Sequence, residues 1–337
     1  MIIRRVVFEG KGECVVRDET EDPELGSTDV RVDASRSLIS TGTEMSIYSR
    51  THSGFADPNH SWVRYPFHPG YATAGVVVET GAEVGDVQSG DRVMHLRPHA
   101  SKAVCNQSKL YRIPDNVSDE EALFARIGQI SLTGVRAANI RLGEPALILG
   151  MGLVGQMAQM GTRLEGARPV IAVDLDDSRL ELATKSGATH TINPAKEEML
   201  SRVHEITGGE MVQTAIVVTG TADAVPAALS VIKRQGTVVL LGGVHGEIPL
   251  DLYATIHVKG IRLVGAHEST SPSSENYYSK WTQANNLKLM LALLSSGDVN
   301  VKHLITDRVS IDEVPALYDS AAKQPSGHLG MIIDWKK

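Results

Sequence analysis

Up to about residue 115, apolar residues fall in short runs broken by turns, at 4–8, 13–17, 29–34, 75–79, Arg92–His95 and 110–113. Such runs between polar breaks predict strands, with turns at Gly85-Asp86 and Gly90-Asp91. The pattern then changes. Ser118, followed by Asp119, Glu120 and Glu121, reads as a helix N-cap with acids in the first turn, and helix can continue to about Asn139. From Ala146 onward, continuous apolar runs alternate with segments of helical period. Strands are predicted at Ala146–Leu149, 169–173, 187–192, 215–218, 236–243 and 261–265. Helices are predicted through 181–185, 222–232, 286–294 and 311–323, and a last strand at 330–335. A β-rich front, a βαβ middle and a tail returning to β predict a discontinuous first domain, 1–133 with 299–337, around a second of 134–298. A cleft is expected outside the carboxyl ends of the parallel strands, where such sheets bind ligands.

The middle opens on the most specific stretch. Ala146-Leu147-Ile148-Leu149 suits a strand buried on both faces. Gly150-Met151-Gly152-Leu153-Val154-Gly155 follows, then a helical segment through Met157, Ala158, Met160 and Leu164, then a second apolar run ending on Asp174. The three glycines differ in what they permit. Gly150 allows a tight turn, Gly152 lets backbone approach a pyrophosphate, and Gly155 lets helix pack close to strand. The pyrophosphate would rest on the helix N-terminus around Leu153 and Val154, where free N–H groups favour an anion. A lone glycine pattern is weak, but strand, glycines, helix, second strand and terminal acid occur here in the required order. Asp174 welcomes a ribose 2′-OH and repels a 2′-phosphate, with Asp176 and Asp177 adding charge and Arg179 the one nearby cation. NAD is therefore expected over NADP.

Composition narrows the function. A chain of 337 residues exceeds what one core usually serves. A net charge of −7 opposes general nucleic-acid binding. No apolar run is long enough to span a bilayer, and the first eight residues read as a strand rather than a signal peptide. Cys14 and Cys105, far apart, argue for a reducing cytoplasm and against a disulfide framework or a Cys-rich zinc site.

The chain resembles the medium-chain dehydrogenase/reductase superfamily of zinc alcohol and polyol dehydrogenases over nearly its full length. The resemblance rests on Pro66 to Val77, reading PFHPGYATAGVV, on Val84-Gly85-Asp86 with Gly90-Asp91-Arg92-Val93, on the glycine fingerprint, on Leu240-Leu241-Gly242, and on the tail from Ile305 to Val314. It implies an α/β protein: a doubly wound Rossmann sheet plus a β-rich GroES-like catalytic domain, acting on a small-molecule alcohol or ketone. It also implies a homodimer, by analogy through edge strands near Ile256 or Leu263. Thr133 resembles the threonine packed near the nicotinamide, while Thr219, Gly242 and Gly243 fall at strand ends where backbone would meet the cofactor.

The departures matter more. Thr41 stands where zinc members have a Cys, Tyr71 replaces their His, the third ligand position falls near Gln129, and the four-Cys structural loop is missing. A hydroxyl, a phenol and an amide replace thiolate, imidazole or carboxylate poorly, so no metal is expected. Side chains must then manage the proton and the developing alkoxide. Tyr71 is the first candidate, and a hydrogen-bonded aromatic lining the cleft is an equal reading of it. Thr43 matches the family's relay hydroxyl and Glu44 the acid beside it, although Glu44 reads better as a buried ion-pair partner holding domain structure than as a catalytic group. The relay His falls near Ser46. His68 precedes Pro69 and so sits in extended backbone, with an imidazole suited to base work. His95 and His267 are further candidates for substrate contact with Thr41 and Gln129, and His99 and His245 also fall in loops or at strand ends.

Three functions stay open. The first is an NAD-dependent, zinc-independent dehydrogenase acting on a secondary alcohol of a polyol, cyclitol, sugar or related metabolite. A superfamily member that oxidises a chlorophyll-pathway hydroxyethyl group is similar at Ile39-Ser40-Thr41-Gly42-Thr43-Glu44, which keeps a larger apolar substrate open. The second is a zinc-free NADPH quinone or enoyl reductase. The third is a non-catalytic dinucleotide-binding protein.

Overall fold

The computed structural model describes residues 1–21, 23–57, 61–277 and 279–336. It divides the chain into one unit of Met1–Arg126, Leu291–Gly297 and Leu304–Lys337, and a second of Ile127–Met290 and Asp298–His303.

The first unit starts with an antiparallel hairpin of β1 (Ile2–Gly10) and β2 (Glu13–Thr20). Its main sheet is built from β3 (Asp29–Ile39), β4 (Thr73–Thr80), β5 (Arg92–His95), β6 (Lys102–Asn106) and β7 (Tyr111–Arg112), with a short helix α1 (Thr43–Tyr48) after β3. Helix α2 (Asp119–Ala138) starts in this unit, and its cap is the expected one. The Glu121 N–H donates to Ser118 Oγ (3.2 Å) and the Ser118 N–H donates to Glu121 Oε2 (3.1 Å), the reciprocal pair of a capping box.

In the second unit, β8 (Ala146–Leu149), α3 (Leu153–Leu164), β9 (Val170–Val173), α4 (Asp177–Lys185), β10 (His190–Ile192), α5 (Met199–Ile206), β11 (Val212–Val217), α6 (Ala224–Ser230), β12 (Ile232–Leu240) and β13 (Arg262–Gly265) follow one another. The sheet is wholly parallel in the order β10-β9-β8-β11-β12-β13, doubly wound, with the order reversing between β8 and β11. Burial explains its unbroken apolar runs. Leu147, Leu149, Ile171, Val173, Ala215 and Val217 enter one core, while Ala146, Ile148, Val170, Ala172 and Ile216 enter another. With period 2, each strand feeds both faces. Each fully buried Leu or Ile contributes roughly 1.5–3 kcal/mol.

Helix α7 (Gln283–Ser296) precedes β14 (Ile305–Ser310), α8 (Val314–Lys323) and β15 (Gly330–Asp334). Strand β15 lies between β14 and β3, so the tail completes the first unit's sheet, ordered β14-β15-β3-β4-β5-β7 with β6 on β3. Val6, Phe8, Ile39, Tyr48, Val314, Leu317, Tyr318 and Ile333 share one core there.

Two expectations need correction. The helix expected over 222–232 stops at Ser230, and β12 starts at Ile232, well before 236. Strands β6 and β14 are not legible in the sequence because their runs are short and mixed in polarity.

Candidate active site

The dinucleotide turn of the second unit follows from three backbone facts. Gly150 has φ +96, a left-handed value that a side chain strains. A Cβ on Gly155 would lie 1.9 Å from the Gly150 carbonyl oxygen, so only glycine lets α3 begin this close to β8. Gly152 is the N-cap of α3, no side chain caps the helix, and a Cβ there would meet nothing within 4 Å. The N–H groups at Leu153 and Val154 therefore border open space suited to an anion.

Asp174 follows β9 directly. Its Oδ2 accepts the Met151 N–H (2.6 Å) and its Oδ1 accepts the Asp176 N–H (2.9 Å), which ties the acid to the glycine turn. Arg179 lies 3.9 Å from both Asp174 and Asp176. Gln156, fully buried in α3, donates to the Met151 and Arg179 carbonyls (3.2 and 2.9 Å) and so braces the same turn. On the other side of the reversal point, Gly242 leaves no room for a Cβ, which would stand 2.7 Å from the Val218 carbonyl carbon. Gly243 faces His245, and the Thr219 hydroxyl donates to the Thr221 carbonyl at 3.3 Å. Gly134 presses on Leu241, which brings Thr133 of α2 towards this end of the sheet; the Thr133 hydroxyl is buried and makes no hydrogen bond. Gln129, fully buried, belongs to this unit as well.

The first unit holds the other candidates. Thr41 and Thr43, both half-buried, bracket the Gly42 cap of α1, and the Thr43 carbonyl accepts from Ser46 Oγ (2.7 Å). Glu44 is buried and committed. Its Oε1 accepts the Ser40 N–H (2.8 Å), and its Oε2 meets the Tyr318 hydroxyl (2.5 Å) and His99 Nε2 (3.1 Å). Tyr71 is half-buried, with the buried Arg126 guanidinium 5.1 Å from its ring centroid. Arg126 and Tyr318 are not among the residues that sequence reasoning singles out. The signal for Arg126 is a lone cation in the apolar helical run 122–127, whereas Tyr318 resembles any core aromatic on a helix.

The histidines scatter. His68 is exposed and lines a groove of about 620 Å³ with Arg5, Arg31, Arg97 and Lys102. Most of those cations are already paired, Arg5 with Glu19, Arg31 with Glu79 and Lys102 with Asp33. His95 is buried at the end of β5, its Nδ1 accepts the Arg97 N–H (3.2 Å), and burial with Arg97 nearby pushes its pKa down to about 4. It stays neutral at ordinary pH. His267 caps a single turn, accepting the Ser269 N–H at Nδ1 (3.3 Å). Both rings thus serve the backbone of their own neighbourhoods.

Two family profiles match the chain, "Zinc-binding dehydrogenase" over residues 154–284 and "Alcohol dehydrogenase GroES-like domain" over 27–113. The L-threonine 3-dehydrogenase of Anaeromyxobacter sp. (strain K) is 28% identical over 344 residues, covering 93% of each chain. The chain belongs to the zinc-type medium-chain dehydrogenase/reductase superfamily. Solved members of this superfamily share its fold at low identity. A zinc-binding-dehydrogenase-type protein of Sinorhizobium meliloti 1021, bound to NADP, aligns with TM-score 0.80 at 21% identity over 99% of both chains. Galactitol-1-phosphate dehydrogenase of Escherichia coli aligns with TM-score 0.80 at 19% identity, covering 98% of this chain and 99% of its own. Superfamily members thus include alcohol-oxidising enzymes and nicotinamide dinucleotide binders, on an α/β fold of a Rossmann and a GroES-like part. Among the described residues no helix is long and apolar enough to cross a membrane.

Proposed function

We propose that the chain is an NAD-dependent, zinc-independent dehydrogenase that oxidises a secondary alcohol of a polyol, cyclitol, sugar or related small metabolite to a ketone, reversibly. The observation that carries this reading is the Gly150–Asp174 turn, whose acid is held against the phosphate-facing backbone. The residues present fit a dinucleotide: Gly152 leaves open space at a helix N-terminus, and the Thr133 hydroxyl is a buried donor with nothing to bond. Gly150, Gly152, Leu153, Val154 and Gly155 would hold the pyrophosphate, Asp174 the ribose, Arg179 the charge balance, and Thr133, Thr219, Gly242 and Gly243 the nicotinamide end. When bound, the cofactor supplies a hydride acceptor.

The proton falls to the first unit. Loss of hydride from the carbinol carbon requires loss of H⁺ from its oxygen, and Tyr71 Oη takes that proton in oxidation and returns it in reduction. The Arg126 guanidinium lies over that ring, 5.1 Å from its centroid. The Thr43 hydroxyl orients the substrate oxygen, with Thr41 as a polar contact. Zinc does not suit this donor set. Glu44 spends both oxygens on Ser40, His99 and Tyr318, and a guanidinium over Tyr71 repels a dication. No three His, Cys, Asp or Glu side chains converge among the described residues. Substrates named for relatives, threonine and galactitol 1-phosphate, support a small hydroxylated substrate. Two free cysteines support a cytoplasmic setting, and the exposed Leu263 on edge strand β13 supports a homodimer.

The test is a panel of polyols, cyclitols and sugars with NAD⁺ or NADP⁺, before and after dialysis against a chelator. Turnover with NAD⁺ that survives chelation and falls at least ~100-fold in Tyr71→Phe is expected. Tighter NADPH than NADH binding, with reduction of a polarised C=C, would replace the reading by an enoyl or quinone reductase. Loss of turnover on chelation, restored by Zn²⁺, would overturn zinc independence.

A further inference from the structure

Glu44, His99 and Tyr318 form a cluster that the proposed chemistry does not use directly. All three side chains are about 1% exposed or less. Burying a carboxylate is unfavourable unless its lone pairs are met, and here three donors meet them: the Ser40 N–H at 2.8 Å, the Tyr318 hydroxyl at 2.5 Å and His99 Nε2 at 3.1 Å. The tautomer follows. His99 donates from Nε2 to a carboxylate, which leaves Nδ1 as a buried acceptor without a partner. Burial first, and then the Glu44 charge, push the Tyr318 hydroxyl well above its usual pKa, so it remains a donor.

The donors come from segments far apart in sequence: the turn before α1, the loop before β6, and α8. What they hold is specific. Glu44 closes the Ser40–Glu44 turn that carries Thr41 and Thr43. His99 holds the Pro69–Gly70–Tyr71 segment from two directions. Its N–H donates to the Pro69 carbonyl (2.8 Å), and its ring lies so close to Gly70 that a Cβ there would come within 2.6 Å of it. Tyr71 is the next residue. The Arg126 guanidinium lies over the Tyr71 ring, 5.1 Å from its centroid. Two hydroxyl-bearing segments, at Thr43 and at Tyr71, are thus fixed to one buried carboxylate.

We propose that Glu44, His99 and Tyr318 are positioning residues that set the Thr43 turn and the Tyr71 phenol in their working arrangement. The proposal rests on the reading of Tyr71 as the proton carrier. Glu44 replaces the metal as the fixed point of the site without touching the reacting atoms. A buried, fully hydrogen-bonded anion can do this because each displacement leaves a donor unpaired.

The test uses Tyr318→Phe, which keeps ring volume and removes one hydroxyl, and Glu44→Gln, with His99→Gln as the conservative rescue because its amide can still donate to Glu44. Tyrosine labelled with ¹³C at Cζ reports the arrangement by NMR without any substrate, with the Tyr71 signal assigned from Tyr71→Phe. The Tyr71 signal is expected to shift or broaden in Tyr318→Phe and Glu44→Gln and to hold in His99→Gln, while the exposed Tyr253 and Tyr277 stay unmoved in all three. With the substrate found by the panel, kcat is expected to fall about tenfold or more in the first two variants, with dinucleotide affinity unchanged. An unmoved Tyr71 signal in both variants would overturn the proposal, as would unchanged kcat. If Tyr71→Phe kept wild-type kcat, the reading of Tyr71 as proton carrier would fail, while the NMR signal would still decide the positioning.

Discussion

His95 shows how one buried side chain sets a property of the folded state. Its pKa near 4 lies below the ordinary value of about 6.5, so between those pH values the unfolded chain binds the extra proton. Stability therefore rises with pH across that window, is complete above it, and is lost as pH falls towards 4. The limit is on the order of 3 kcal/mol, from the size of the shift. Denaturant unfolding of wild type and His95→Gln at pH 4.5 and 7.5 should show a slope in the first that is reduced in the second. Asp174 makes a second residue-level prediction. Asp174→Ala frees the Met151 N–H and removes the charge that repels a 2′-phosphate, so NADH affinity should fall about tenfold and the NADH/NADPH ratio should collapse. Fluorescence titration with both dinucleotides measures this.

The same residues show where reading a sequence succeeds at the level of elements. The β8–α3–β9 unit is legible because its constraints are local: a run buried on both faces, glycines where Cβ atoms would collide, and an acid at the strand end. Gly155→Ala therefore predicts a clash with the Gly150 carbonyl and loss of dinucleotide binding, while circular dichroism keeps its helical signal. The capping box at Ser118 is equally legible. The environment of Glu44 is not, because its partners lie 55 and 274 residues away along the chain. No spacing rule joins an acid, a loop histidine and a helix tyrosine. Strand β6 escapes for a related reason, since its pairing with β3 is set by tertiary register rather than by its own mixed pattern.

For the whole molecule, the parallel sheet of the second unit ends on β13, where Leu263 is 44% exposed, and Leu252, Tyr253 and Val258 are exposed just before it. An open edge with apolar neighbours invites pairing with a second copy. If the proposed homodimer forms through this edge, wild type should sediment as a dimer and Leu263→Arg as a monomer in sedimentation velocity, with dinucleotide affinity intact. Another property follows from strand order. Strand β15 lies between β14 and β3, so the sheet begun by β3 stays divided until residues 330–334 have left the ribosome. The parallel sheet of the later unit needs nothing from that tail, so the part whose synthesis starts second can mature first. Until then, Met331 to Ile333, fully buried in the folded sheet, are apolar and unsheltered, which makes this stretch dependent on prompt capture during biogenesis.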